Sequence, residues 1–345
     1  MSIPNTNASH DFIFAKLHGL WANAIRGDTL ERLLRSGTTE ALQRNLHDVG
    51  IDASRRETFH RNLLMREFNT LTTISRLLDE RSSEYYHALM SKGYFEDLKT
   101  ILHYRFFPEH NVDIDEMMTG LPCSPATDAK ALLAAKTTEQ FLGRIVYDFG
   151  VTEESLSALA AALEKSHDIM LAECALDQAH YDFVLKSAAN APRDVANAAS
   201  EMTATEIDVE NICILLRNIR TYHLADKRMA SFWLKGGRFL DAERLSALLP
   251  SKDVKTAVAQ LPYPFQKMLE PFTDAELYLS ESALWNHLYD KALRLFRDFD
   301  RPSLSIVAFP FLLRFETQNV SRIYEGVRFG IPARDLKDMM IGANL

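Results

Sequence analysis

The stretch "TEIDVENICILLRNIRTYHL" at 205–224 has the apolar rhythm of a buried helix, yet Asp208, Glu210 and Asn211 interrupt its first turns. Ile212, Leu215 and Ile219 fall at i, i+3 and i+7, one stripe along a helix. Thr205 is placed to N-cap it, with Glu206 and Asp208 in the dipole-favoured first turn. Whether the polar groups form a site or hold the fold together turns on whether the stretch recurs.

It does recur. "YFEDLKTILHYR" at 94–105 and "FETQNVSRIYEGVRFGI" at 315–331 align with it so that Asp97, Asn211 and Asn319 share a column. Leu98, Ile212 and Val320 follow directly, and Ile101, Leu215 and Ile323 come three further on. The copies are 114 and 108 residues apart, about a third of the 345-residue chain. Asp97, Asp208, Asn211, Glu316 and Asn319 are then the polar motif of a repeated unit, expected to hydrogen-bond neighbouring helices within it. A second element repeats as well. "DTLERLLRSGTTEALQRNLHDVGI" at 28–51 resembles "TDAKALLAAKTTEQFLGRIVYDFGV" at 127–151 and, more loosely, "DAERLSALLPSKDVKTAVAQLPYP" at 241–264. Each reads as two short helices around a polar break. A long amphipathic helix with an aromatic cluster, such as "SEYYHAL" or "DQAHYDFVL", is expected between that pair and the polar-tipped helix.

The chain therefore reads as all-α, built from three helical units at 1–120, 121–236 and 237–345. A unit near 110 residues is too long for common solenoid repeats, which favours three small bundles about a pseudo-symmetry axis. Thr273-x-x-Glu276 and Thr137-x-x-Gln140 have the capping-box pattern. Gly330 is expected to stop a helix and Pro332 to open the next. The 13 glycines and 12 prolines are about 7% of the chain, where ~12% is usual, which suits long helices.

The formal charge of −8 argues against a dedicated nucleic-acid binder, which usually needs a basic face. No apolar run approaches the 18 or more residues of a membrane span, and "MSIPNTNASHDF" lacks a secretory signal's pattern, so a soluble cytoplasmic chain is expected. Cys123, Cys174 and Cys213 show no metal or redox spacing and read as small core residues. Glu57-x-x-His60 and Glu84-x-x-His87 have the di-iron spacing of ferritin-like bundles, but 27 residues between the motifs leave no room for the intervening helix. "KGGRF" lacks the phosphate-loop pattern and reads as a turn. No cofactor, metal or catalytic residue is implied.

The ordered set of three motifs resembles the C subunit of bacterial and archaeal V/A-type ATPases, whose eukaryotic counterpart is the d subunit. The best copy is "EIDVENICILLRNIR"; "FETQNVSRIYEGVRFGIPARDLKDMM" resembles the family's C-terminal signature, and "FIFAKLHGLWANAIRGDTLERLL" and "WLKGGRFLDAERLSALL" fit as well. This chain departs from the pattern at Asp97, where Asn is usual, at His103 in the basic position of the first copy, and at Tyr324 and Glu325 in the third. The resemblance implies a non-catalytic funnel of three wedges. Its mouth takes the central rotor shaft, its base sits on the cytoplasmic face of the membrane proteolipid ring, and it passes torque between ATP chemistry and proton or sodium transport. Lys99, Arg105, Arg217, Arg220, Arg322 and Arg328 are the candidate partner contacts. The rival reading is a helical interaction scaffold unrelated to rotary ATPases.

Overall fold

The computed structural model describes residues 10–107, 113–122, 128–145, 153–166 and 168–342. Every regular element among them is helical. In chain order they are α1 (His10–Ala22), α2 (Asp28–Leu34), α3 (Thr39–Asp48), α4 (Arg56–Ser75), α5 (Glu80–Met90), α6 (Lys92–Phe106), α7 (Ile114–Met117), α8 (Ala129–Leu133), α9 (Thr138–Leu142) and α10 (Glu153–Ala161). Then come α11 (Ile169–Asn190), α12 (Arg193–Arg217), α13 (Asp226–Met229), α14 (Ala242–Leu248), α15 (Val254–Gln260), α16 (Tyr263–Leu269), α17 (Leu277–Phe296), α18 (Leu304–Arg328) and α19 (Ala333–Asp338).

The opening stretch does not begin a helix. α12 starts at Arg193 behind Pro192, and Thr205 lies mid-helix with its hydroxyl donating to Glu201 O at 2.7 Å. The preceding "RDVANAASEMTA" carries little stripe, but its alanines are the strongest helix formers and extend the element by three turns. "SEYYHAL" is likewise not in the long helix before the polar one. It lies in α5, which leads into α6 across one residue, Ser91, whose hydroxyl bonds back to Ala88 O at 2.7 Å. Thr137 does cap α9, accepting from Gln140 N at 3.1 Å. Thr273 caps nothing, because α17 begins at Leu277 behind Glu276. Gly330 adopts φ +70°, and Ile331 N reaches back to Gly326 O at 2.9 Å, closing α18 before Pro332 opens α19.

The buried apolar residues sort by helix half. α5 and the N-terminal parts of α12 and α18 share one central cluster with α1 and the C-terminal ends of α4, α11 and α17: Tyr85, Met202 and Phe311 meet Leu17, Ile74, Val184 and Phe296 there. The C-terminal parts enter three separate clusters. α6 joins α7–α10 and the start of α11, through Leu98, Phe141, Leu159 and Leu176. α12 joins α14–α16 and the start of α17, through Leu216, Leu245, Phe265 and Leu284. α18 joins α19, α2, α3 and the start of α4, through Ile323, Leu336, Leu33, Leu46 and Phe59, so both ends of the chain share a core. A smaller cluster holds Tyr181, Ile207 and Leu234.

Pro310 sits inside α18 and is buried. It cannot donate to the carbonyl one turn back, Ile306 O. Tyr86, fully buried on α5, donates its hydroxyl there instead at 2.9 Å, and the gap in the ladder becomes a tie between two of the converging helices. No helix among the described residues is long and apolar enough to cross a membrane.

Candidate functional site

Each aligned polar residue clasps the chain as it returns past its own helix, rather than a neighbouring helix. Asn211 donates to Leu234 O at 2.8 Å and accepts from Leu234 N at 2.9 Å. Asn319 does the same to Ile341, at 2.7 and 2.9 Å. A carboxamide has one donor and one acceptor arm and so can mimic a backbone pair. Asp97 has only acceptors: it takes Thr119 N at 2.6 Å and makes no reciprocal bond, and burial pushes its carboxyl up. Asp208, fully buried, accepts Arg238 N, Phe239 N and Leu240 N at 3.1, 2.9 and 3.1 Å. The "KGGRF" turn makes this possible. Gly236 has φ +98°, and a Cβ on Gly237 would overlap the Asp208 carboxylate. Glu316, also buried, pairs with Arg66 at 2.8 Å.

All six basic candidates have intramolecular partners. Lys99 pairs with Asp177 at 2.6 Å and Glu96 at 3.1 Å. Arg105 donates to Ala135 O at 2.6 Å and covers the Phe141 ring. Arg220 holds Thr273 O and Ala275 O at 2.9 and 3.2 Å, and Arg322 holds Met339 O at 3.1 Å. Arg328 lies over Tyr324, 3.9 Å from Glu325.

Arg217 belongs to a repeated arrangement. Six positions beyond the aligned polar residue stand His103, Arg217 and Glu325, and each pairs with the long helix that follows in packing order. His103 meets Glu173 on α11 at 2.5 Å, and Arg217 meets Glu281 on α17 at 2.6 Å. Glu325 meets His60 on α4 at 2.8 Å, with Arg56 at 3.6 Å. The odd residue of the third copy is thus a polarity swap, matched on the facing helix.

Where the three helices part lie two adjoining chambers. The first, about 190 Å³, is largely apolar, with Leu64, Phe68, Leu89 and Phe311 around it. The second, about 280 Å³, is polar, and Lys92, Glu96, His180 and Tyr181 border both. Lys92, Glu206 and Arg314 stand five positions before the aligned residue in their respective copies, and Glu96, Glu210 and Gln318 stand one before; all six line the chambers. Arg314 pairs with Glu206 at 2.8 Å, and Tyr181 donates to the same carboxylate at 3.3 Å. Burial pushes the Glu67 and Glu210 carboxyls up and holds the His180 imidazole neutral, well below its ordinary value. Despite burial, which lowers it, Asp177 and Glu96 hold the Lys99 ammonium above its usual range. Only Glu206 and Glu210 of these six stood out in the sequence, as polar groups of one helix and not as a column, although the positions are polar in all three copies.

Among the described residues no group of three or more His, Cys, Asp and Glu is set to hold a metal. His60 is occupied by Glu325 and Ser321, while the Glu57 side chain lies outside the described residues. Cys213 is buried and Cys174 donates to Phe232 O at 3.3 Å; Cys123 lies outside the described residues. What the arrangement offers is a polar-rimmed recess held by braced helices.

No curated protein matches the sequence. The family model described as ATP synthase (C/AC39) subunit matches residues 13–339, a span that takes in all three polar-tipped helices, the chambers between them and the turn that clasps Asp208. The chain belongs to the ATP synthase (C/AC39) subunit family.

Proposed function

We propose that this chain is the non-catalytic socket of the central stalk of a V/A-type rotary ATPase. It joins the rotor shaft to the membrane proteolipid ring on the cytoplasmic face and carries torque that is used for proton or sodium transport. The observation that carries the reading is the arrangement of α5–α6, α12 and α18. Their first halves converge on one core and their second halves enter three others, leaving chambers at the divergence. A funnel of three wedges has this form, each outer core drawing on two of the expected units 1–120, 121–236 and 237–345 rather than on one alone. The absence of a spanning helix among the described residues suits a subunit that rests on the ring. Lys99 and Arg217, which border the second chamber, are the basic candidates we place toward the shaft. Arg105, Arg220, Arg322 and Arg328 brace the wedge walls. The seam pairs between wedges give the stiffness that torque transfer needs.

The test is co-expression with the shaft and ring subunits of the same genome. A stable complex containing all three is expected, and a chain that co-purifies with neither overturns the proposal.

A further inference from the structure

Two of the three seam pairs contain a histidine, and both histidines lie in the first of the expected units. His103 on α6 meets Glu173 on α11, and His60 on α4 meets Glu325 on α18. The remaining seam is closed by Arg217 on Glu281, and a guanidinium is not deprotonated in proteins. An imidazole, by contrast, gains and loses its charge between about pH 5 and pH 8. The His60 and His103 side chains are 42% and 46% exposed, so solvent protons reach them. The His60 ring is held at both nitrogens, Nε2 on Glu325 at 2.8 Å and Nδ1 on Ser321 at 3.2 Å, so it stays on its carboxylate while its charge changes. The other charges at these two seams do not follow the imidazoles. One turn inward from His103, Lys99 spans the same seam to Asp177 with Glu96 beside it, and the two carboxylates hold its ammonium above the usual range against burial. Arg105 is turned away to Ala135 O. On the α4–α18 seam Arg66 pairs with Glu316 farther in. Arg56 and Arg328 flank Glu325 at 3.6 and 3.9 Å, too far for hydrogen bonds but near enough to keep part of the attraction.

We propose that His60 and His103 make a proton-dependent clamp at the outer ends of these two seams. As pH falls, the first unit is drawn against both neighbours; as pH rises, its outer end is released while α12 stays joined to α17. This goes beyond the socket reading and does not depend on it. The sign follows from the pairing. An imidazolium on a carboxylate attracts it, whereas a neutral ring leaves only a hydrogen bond, so the stabilisation is present at low pH and lost as pH rises. The inner ties, Lys99 to Asp177 and Arg66 to Glu316, keep their cations charged throughout, so the motion is a loosening of the outer turns and not a separation of the units. The first unit supplies Leu64, Phe68, Leu89, Lys92 and Glu96 to the chambers, so the release acts on their width.

The experiment is amide hydrogen exchange of the full-length chain at about pH 6 and about pH 8, read as protection after correction for intrinsic exchange at the last turns of α6, α12 and α18. From the lower to the higher pH, protection falls roughly two- to fivefold at the ends of α6 and α18, the scale of one exposed ion pair, and stays level at the end of α12. The fall is smaller at α18, where Arg56 and Arg328 remain. His103→Gln keeps a donor without a charge and holds α6 at its low protection at both pH values. His103→Lys holds it at the high protection at both, and His60→Gln removes the response of α18 alone. A level profile at all three ends, or an equal fall at the end of α12, overturns the clamp. So does a His103→Gln variant that keeps the wild-type ratio of protection between the two pH values, because the ring is then only structural and the proton acts elsewhere.

Discussion

Asn211→Leu isolates the clasp. The substitution removes bonds of 2.8 and 2.9 Å and strands both backbone polar groups of Leu234. Leu234 is 5% exposed and Asn211 fully buried, so water does not replace the lost partners. A buried donor or acceptor left unsatisfied costs about 1–3 kcal/mol. Two such groups, offset by about 1 kcal/mol of added apolar contact, put the loss near 1–5 kcal/mol. Unfolding entropy of about 2.1 cal/mol/K per residue gives the 345-residue chain about 0.7 kcal/mol per degree if it unfolds as one unit. The melting temperature should therefore fall by about 1–7 °C, read by calorimetry or by helix content on heating. Asn319→Leu should fall similarly. Asp97→Leu should fall less, because it removes a carboxyl that burial disfavours. A shift under about 1 °C in the Asn211 variant, or a ranking led by Asp97, refutes the clasp as reasoned.

Tyr86→Phe leaves Ile306 O without the donor that stands in for the missing N–H of Pro310, and should cost about 1–3 kcal/mol in urea unfolding; an unchanged midpoint at unchanged slope argues that the carbonyl is satisfied otherwise. Gly237→Ala drives a methyl into the Asp208 carboxylate and to 2.9 Å from Leu240 O, so it should lose about 1–3 kcal/mol, and tolerance at wild-type stability would mean that the turn does not need its close approach. Burial lifts the Asp208 carboxyl to about 6 against its three N–H donors. The folded chain then holds a proton there that an unfolded aspartate gives up near pH 3.9, so this group's contribution is full below that value and is lost as pH rises through 6. Asp208→Asn should accordingly show a smaller drop in stability between pH 5 and pH 7.5 than wild type, and equal drops would place the group's titration elsewhere.

Periodicity made the helices legible, and the column of Asp97, Asn211 and Asn319 was visible as a column. The partners were not, because each clasp reaches 22 or 23 residues along the chain, beyond any helical spacing. The start of α12 was misplaced because Thr205 has a cap residue's chemistry. Inside a helix the same hydroxyl serves the carbonyl one turn back, and only Pro192 marks the true beginning. Glu210 and Arg314 look in sequence like any solvated charge. What distinguishes them is that three distant helices close around them, which is a property of packing and not of spacing.

A chain built from three similar helix sets faces a hazard in assembly, since each polar-tipped helix could dock on the wrong long helix, in its own chain or in a neighbouring one. The swapped pair at the last seam discriminates against this. Glu325 placed on α11 or α17 would face Glu173 or Glu281, and the mate it finds on α4 is His60 with Arg56 behind it. Like charges set together penalise the misdocked form, so Glu325 serves as a key that directs α18 to α4.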